Sequence, residues 1–203
     1  MSSERIQELI ISLSKLPGIG PRQAGRLVYH LLDEKQEYKD MLVKNILALA
    51  DVKRCSFCFQ AFENRGNTLC SICIGNTRDK STLMVVEKDM DYTTIDKAGI
   101  YNGLYFILGG VISPLRPNNQ ERTRMKELFG RVQNDTQIAE IILATSATPE
   151  GDHTARFIEK ILEPLYGERK TLRLTRLGRG LSTGSELEYS DPETFKNAYV
   201  NRK

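Results

Sequence analysis

Four of the 203 residues are cysteines, and they fall in two matched pairs, Cys55-Ser-Phe-Cys58 and Cys70-Ser-Ile-Cys73, with eleven residues between the pairs. Two residues between ligands let the chain turn tightly with both sulfurs pointing inward, so two such pairs can close a tetrahedral shell around one ion. A shell of four thiolates leaves no position for water or substrate. The expected ion is therefore zinc and its expected role structural. Paired disulfides would suit a secreted chain, but Met1 to Lys15 is charged throughout and lacks the apolar core of a signal peptide. A redox site needs one C-x-x-C pair, not two. Phe57 to Thr68 offers little to bury, and zinc ligation, worth about 10 to 16 kcal/mol in finger peptides, would order it.

A second set of residues suits phosphate. Leu16-Pro17-Gly18-Ile19-Gly20-Pro21 interrupts two helical stripes, Ile6, Leu9, Ile10 and Leu13 before it and Ala24, Leu27, Val28 and Leu31 after it. This resembles a helix-hairpin-helix module. Gly18 and Gly20 have no side chains, so backbone N–H groups can approach a phosphate oxygen. Lys15, Arg22 and Arg26 stand within two turns of the hairpin and would neutralise neighbouring phosphates without reading sequence. The competing reading is a plain tight turn with Ile19 filling the gap.

The third set is acidic. Glu87, with Asp89 and Asp91 behind it, follows the apolar run Leu83-Met84-Val85-Val86; Glu150 and Asp152 follow the run from Ile138 to Ala144. Acids at neighbouring strand ends can converge on magnesium, which prefers oxygen ligands. A Glu after one strand and an acid-x-acid pair after a later one resembles the Toprim domain of primases, topoisomerases and some nucleases. The alternatives are helix capping, with Asp152 capping a helix that begins near Thr154, and a docking surface without turnover. His153 reads as a solvated loop residue, and no activated nucleophile is evident.

Positioning these groups takes helices first and a sheet afterwards. A third helix is expected from Glu37 to Ala50, packed on the first two. Beyond the cysteines, strands at 83–86, 104–108, 138–144 and 171–175 alternate with helices at 91–98, 119–132 and 154–166, the pattern of a parallel two-sided α/β sheet. Gly178-Arg179-Gly180 lacks the Gly-Lys-Ser/Thr ending of a phosphate loop and reads as a flexible turn with basic flanks before a short final helix. Charged residues at 27% and no membrane-length apolar run describe a soluble cytoplasmic chain. The net charge of +3 is uneven: 12 Lys/Arg against 9 Asp/Glu over residues 1–80, 9 against 13 over 81–168, and 8 against 4 over 169–203. Basic ends suit a polyanion, and an acidic middle suits a metal or a protein partner.

The order of hairpin, four cysteines, Toprim-like acids and basic tail resembles the RecR family of bacterial recombination mediators along nearly the whole chain. The residues that carry the resemblance are Leu16 to Arg26, the four cysteines, Val85-Val86-Glu87 with Asp91, Leu108-Gly109-Gly110-Val111-Ile112-Ser113-Pro114-Leu115, Glu150 to Ala155, and Gly180-Leu181 through Leu187-Glu188-Tyr189. The resemblance implies an α/β protein organised as a helix-hairpin-helix region (1–53), a four-cysteine zinc finger (54–78), a Toprim domain (79–175) and a C-terminal segment (176–203) that supplies an oligomer contact. It implies binding of single- and double-stranded DNA without sequence preference, partnership with RecO and RecF, assistance in loading RecA onto single strands, and a ring-shaped homo-oligomer, with no turnover. Carried onto this chain, Lys15, Gly18, Gly20, Arg22 and Arg26 form the DNA surface, and Glu87, Asp91, Glu150 and Asp152 a partner or magnesium surface. The alternative from the residues alone is a magnesium-dependent phosphoryl-transfer enzyme built on the same acids.

Overall fold

In the computed structural model, which describes residues 3–64, 66–113 and 123–202, the chain forms two compact units, Met1–Val52 and Lys53–Lys203. The first holds α1 (Glu4–Leu13), α2 (Pro21–Asp33), α3 (Gln36–Ala48) and a 3-10 turn, Leu49–Asp51. Ala24 and Val28, one turn apart on α2, are its buried residues, and α2 at Gly25 lies beside Ile10 of α1. The third helix departs from expectation. None of its residues is buried, and its main packing is on its own 3-10 continuation rather than on α1 and α2. Its Met41, Val43, Ile46 and Leu47 face outward, because the apolar residues are spread around the helix instead of gathered in one stripe.

The second unit opens with the two-stranded hairpin β1 (Val52–Arg54) and β2 (Ala61–Glu63) and the single turn α4 (Ser71–Ile74). There follow β3 (Asp79–Val86), α5 (Asp89–Ala98), β4 (Gly103–Ile107), α6 (Met125–Asn134), β5 (Glu140–Ala144), α7 (Pro149–Glu168), β6 (Arg173–Arg176) and α8 (Pro192–Val200). The four long strands run parallel in the order β4-β3-β5-β6. Continuous apolar runs make sense here because both faces are covered. Leu83 and Val85 of β3, Leu104 and Phe106 of β4, and Ile141 and Leu143 of β5 pack beneath α6 and α7. Met84, Val86, Tyr105 and Ile107 turn to the other face, against Tyr92 of α5. Two helix starts differ from the sequence reading. The helix expected from Asn119 begins at Met125, and residues 114–122, with its expected start and the Pro114-Leu115 end of the family motif, lie outside the described residues. The helix expected from Thr154 begins at Pro149, since Thr148 accepts a hydrogen bond from Gly151 N–H at 3.1 Å and proline occupies the first helical position.

Candidate metal centre and nucleic-acid interface

All four cysteine sulfurs lie within 4.8 Å of one another, with Cys58 Sγ and Cys70 Sγ 3.5 Å apart. Tetrahedral zinc with bonds of about 2.3 Å spaces its sulfurs by about 3.8 Å, so the donor set fits the ion. Cys55, Cys58 and Cys70 are buried. Hydrogen bonds from Cys58, Cys70 and Cys73 hold the Cys55 thiol well below its ordinary range, and Cys55 in turn pushes Cys58 and Cys73 up, so the four sulfurs cannot all ionise unaided. Four thiolates this close need a positive charge among them. Among the described residues, no other group of cysteines, histidines and acids comes together in this way.

The cysteine knuckle is bolted to the sheet. Ile107 N–H, on the outer edge of β4, donates to Cys58 O at 2.9 Å, which closes part of an otherwise open strand edge. Phe59, in a left-handed conformation with φ +62°, turns its ring edge onto Phe106 at 5.4 Å, and the Arg124 guanidinium covers it at 4.8 Å. Arg54 grips both Asp89 oxygens, at 2.6 and 3.1 Å, and also donates to Phe59 O at 2.7 Å. None of these joints was visible from the spacing of the cysteines.

The hairpin between α1 and α2 is exposed at Lys15, Pro17, Gly18, Gly20, Arg22 and Arg26. Gly18 has φ +79°, a conformation that L side chains rarely adopt and that folds the chain back into Ile19 N–H to Leu16 O, 3.1 Å. Half-buried Ile19 fills the inside of the turn. Gly20 and Pro21 then open α2, whose first backbone bond is Ala24 N–H to Gly20 O at 2.9 Å. The N–H groups of Arg22 and Gln23 therefore point out of the helix end without a backbone acceptor. Arg22 and Arg26 are four residues apart and share one face of α2; among the described residues neither they nor Lys15 form an ion pair.

The acids do not converge. Glu87 is 3% exposed, and its two oxygens accept from Ser146 N–H and Ser146 Oγ–H, each at 2.8 Å. It staples the end of β3 to the turn after β5. Gly151 is required beside it, since a Cβ there would collide with Ser146 O and reach Glu87 Oε1 at 3.0 Å. Asp91 accepts from Lys88 N–H at 2.8 Å, capping α5. Asp152 lies within α7, not before it. Arg179 donates to both of its oxygens, and Arg176 Nη1 stands 3.5 Å from Oδ1. The hydrogen bond from Arg179 holds the Asp152 carboxyl below the usual carboxylate range. Glu150, in the first turn of α7, has no side-chain partner among the described residues. Glu87 and Asp152, expected at neighbouring strand ends, thus serve two separate contacts. In the sequence Arg176 and Arg179 read only as basic flanks of a turn, and nothing in their spacing points to Asp152.

Comparison with known proteins agrees with both halves. Residues 6–50 match the family model described as RecR, helix-hairpin-helix, and residues 81–177 match the Toprim domain. Among curated relatives named recombination protein RecR, that of Staphylococcus aureus strain Newman is 40% identical over 203 residues, spanning 98% of this chain and 96% of the relative. Those of Lactococcus lactis and Lacticaseibacillus casei are 37% and 36% identical over 200 residues each, with the same 98% and 96% coverage. With 36–40% identity to these relatives over 98% of its length, the chain belongs to the RecR family of recombination proteins.

Proposed function

We propose that this protein is a DNA-binding recombination mediator of the bacterial cytoplasm, which works with RecO and RecF to help load RecA onto single-stranded DNA and performs no turnover itself. The observation that carries the reading is the hairpin: two exposed arginines on one face of α2, beside a glycine turn and unpaired amide donors, with no acid of the described residues neutralising them. Lys15, Gly18, Gly20, Arg22 and Arg26 form the phosphate surface. Its contacts go to the backbone, so single and double strands are both held without sequence preference. Zinc at Cys55, Cys58, Cys70 and Cys73 is structural. It neutralises the thiolates and holds the knuckle against β4, while Arg54, Phe59 and Cys58 O make the joint.

The same reading includes a homo-oligomeric ring and gives the Toprim acids Glu87, Asp91, Glu150 and Asp152 to a protein-facing edge, with Asp91, Glu150 and Asp152 at its surface and Glu87 buried behind them as its support. Glu87 and Asp152 are committed to Ser146 and Arg179, which speaks against phosphoryl transfer. The test is equilibrium DNA binding by Arg22→Ala with Arg26→Ala across a salt series. Loss of two duplex phosphate contacts makes the slope of log K against log salt shallower by about 1.8, so the wild-type advantage shrinks about twelvefold between 50 and 200 mM salt. Unchanged affinity and slope, with helicity intact, would move the DNA surface off the hairpin. Mediator activity is read as RecA filament assembly on strands coated with single-strand binding protein, with RecO and RecF present.

A further inference from the structure

The segment after β6 is weakly held for its size. Leu187, Tyr189, Phe195, Tyr199 and Val200 are all exposed, and no residue of α8 is buried. Among the described residues, its hydrogen bonds to the sheet domain arise at two adjoining points. Leu177 N–H donates to Leu143 O at 3.3 Å, and Arg179 donates to both oxygens of Asp152. From Arg179 the tie runs onward into α8. Asn201 Nδ2 donates to Arg179 O at 3.0 Å, and Gly180 sits where a Cβ would meet Ala198 at 3.8 Å. A cleft of about 350 Å³ opens beside this joint, lined by Ala147, Arg179, Gly180, Asp191, Thr194 and Asn197.

Arg176 completes the arrangement. It belongs to β6, is held by Glu159 at 2.8 Å, and stands 3.5 Å from Asp152. When Arg179 leaves, Asp152 therefore keeps a positive neighbour, and the usual penalty of stranding a half-buried carboxylate is reduced. We propose that the Asp152–Arg179 pair is a latch that sets the position of residues 177–202, and that breaking it frees this segment with its exposed apolar side chains. This coupling of the acidic edge of the sheet to the tail is independent of how the hairpin meets DNA.

Hydrogen exchange on the full-length protein tests it, read by mass spectrometry over residues 187–200 and over β3. Asp152→Asn and Arg179→Gln each speed exchange in 187–200 about tenfold and leave β3 unchanged. The double variant is no faster than either single, because both remove one interaction. Unchanged exchange in the tail would overturn the latch. So would additive effects, or a rise in β3 that matches the rise in the tail, which would mark Asp152 as a support of the whole domain.

Discussion

Replacing Glu87 by alanine separates a structural staple from a ligand-binding acid. The buried carboxylate accepts two hydrogen bonds from one residue, Ser146, each 2.8 Å long. Hydrogen bonds to a charged group contribute about 1.5 to 3 kcal/mol each. Ser146 is itself exposed, so water replaces part of what is lost. The expected cost of Glu87→Ala is then about 3 kcal/mol, and at 2 to 4 °C per kcal/mol for a unit of this size the melting temperature falls by about 6 to 12 °C. Glu87→Gln keeps the volume and one acceptor and costs about half as much. Ser146→Ala removes the hydroxyl alone, and a cycle with Glu87→Gln returns a coupling of about 1 kcal/mol. Thermal unfolding by circular dichroism, with and without magnesium, reads all of these. An unchanged melting temperature in Glu87→Ala, together with loss of a magnesium-dependent shift seen in the wild type, would refute the staple.

Gly151→Ala forces a Cβ onto Ser146 O and is expected to cost at least about 1 to 3 kcal/mol, read as a lower denaturant midpoint at unchanged slope. Arg54→Ala, which removes both bonds to Asp89 and the one to Phe59 O, loosens the knuckle; exchange at Ile107 N–H should rise while bound metal stays at the wild-type level, and metal loss instead would place Arg54 in the metal site itself. The Asp152 carboxyl is held below its ordinary value of 3.8, first by the hydrogen bond from Arg179, so its contribution is complete above about pH 4 and fades as pH falls through the lower folded value. Asp152→Asn should flatten that part of the stability profile below pH 4 and leave the profile near neutrality parallel to wild type. Chelation of the metal should lower the melting temperature of the sheet domain as well as that of the knuckle, whereas a knuckle that unfolds alone would sever the proposed link through Cys58 O.

The sequence was most legible where chemistry is local. Cys55 and Cys58 declare their partnership over three residues, and Gly18, Gly20 and Pro21 fix a hairpin whose outline needs no tertiary contact. The two-sided sheet followed from uninterrupted runs such as Leu83 to Val86, because only strands covered on both faces can be apolar at every position. The start of α7 is legible in Thr148-Pro149-Glu150, a cap followed by a first-turn proline, although the expected helix starts only at Thr154. What stayed hidden depends on pairs distant in the chain. Glu87 and Ser146 lie 59 residues apart, Asp152 and Arg179 lie 27 apart, and no periodicity links either pair. Acids at strand ends look alike in one dimension, while the fold gives Glu87, Asp91 and Asp152 different partners and leaves Glu150 without one among the described residues. The apolar residues of α3 suggested a packed helix, but they are spread too widely around it to form a single buried face.

The bond from Ile107 to Cys58 ties metal supply to solubility. A parallel sheet normally hides its border strands under helices or charges, and here a sulfur-bound loop does part of that task for β4. Without the bound metal, Ile107 N–H on the open edge of β4 would lose the acceptor that the knuckle supplies and be left to pair with another molecule. Loss of the metal would then show itself as self-association.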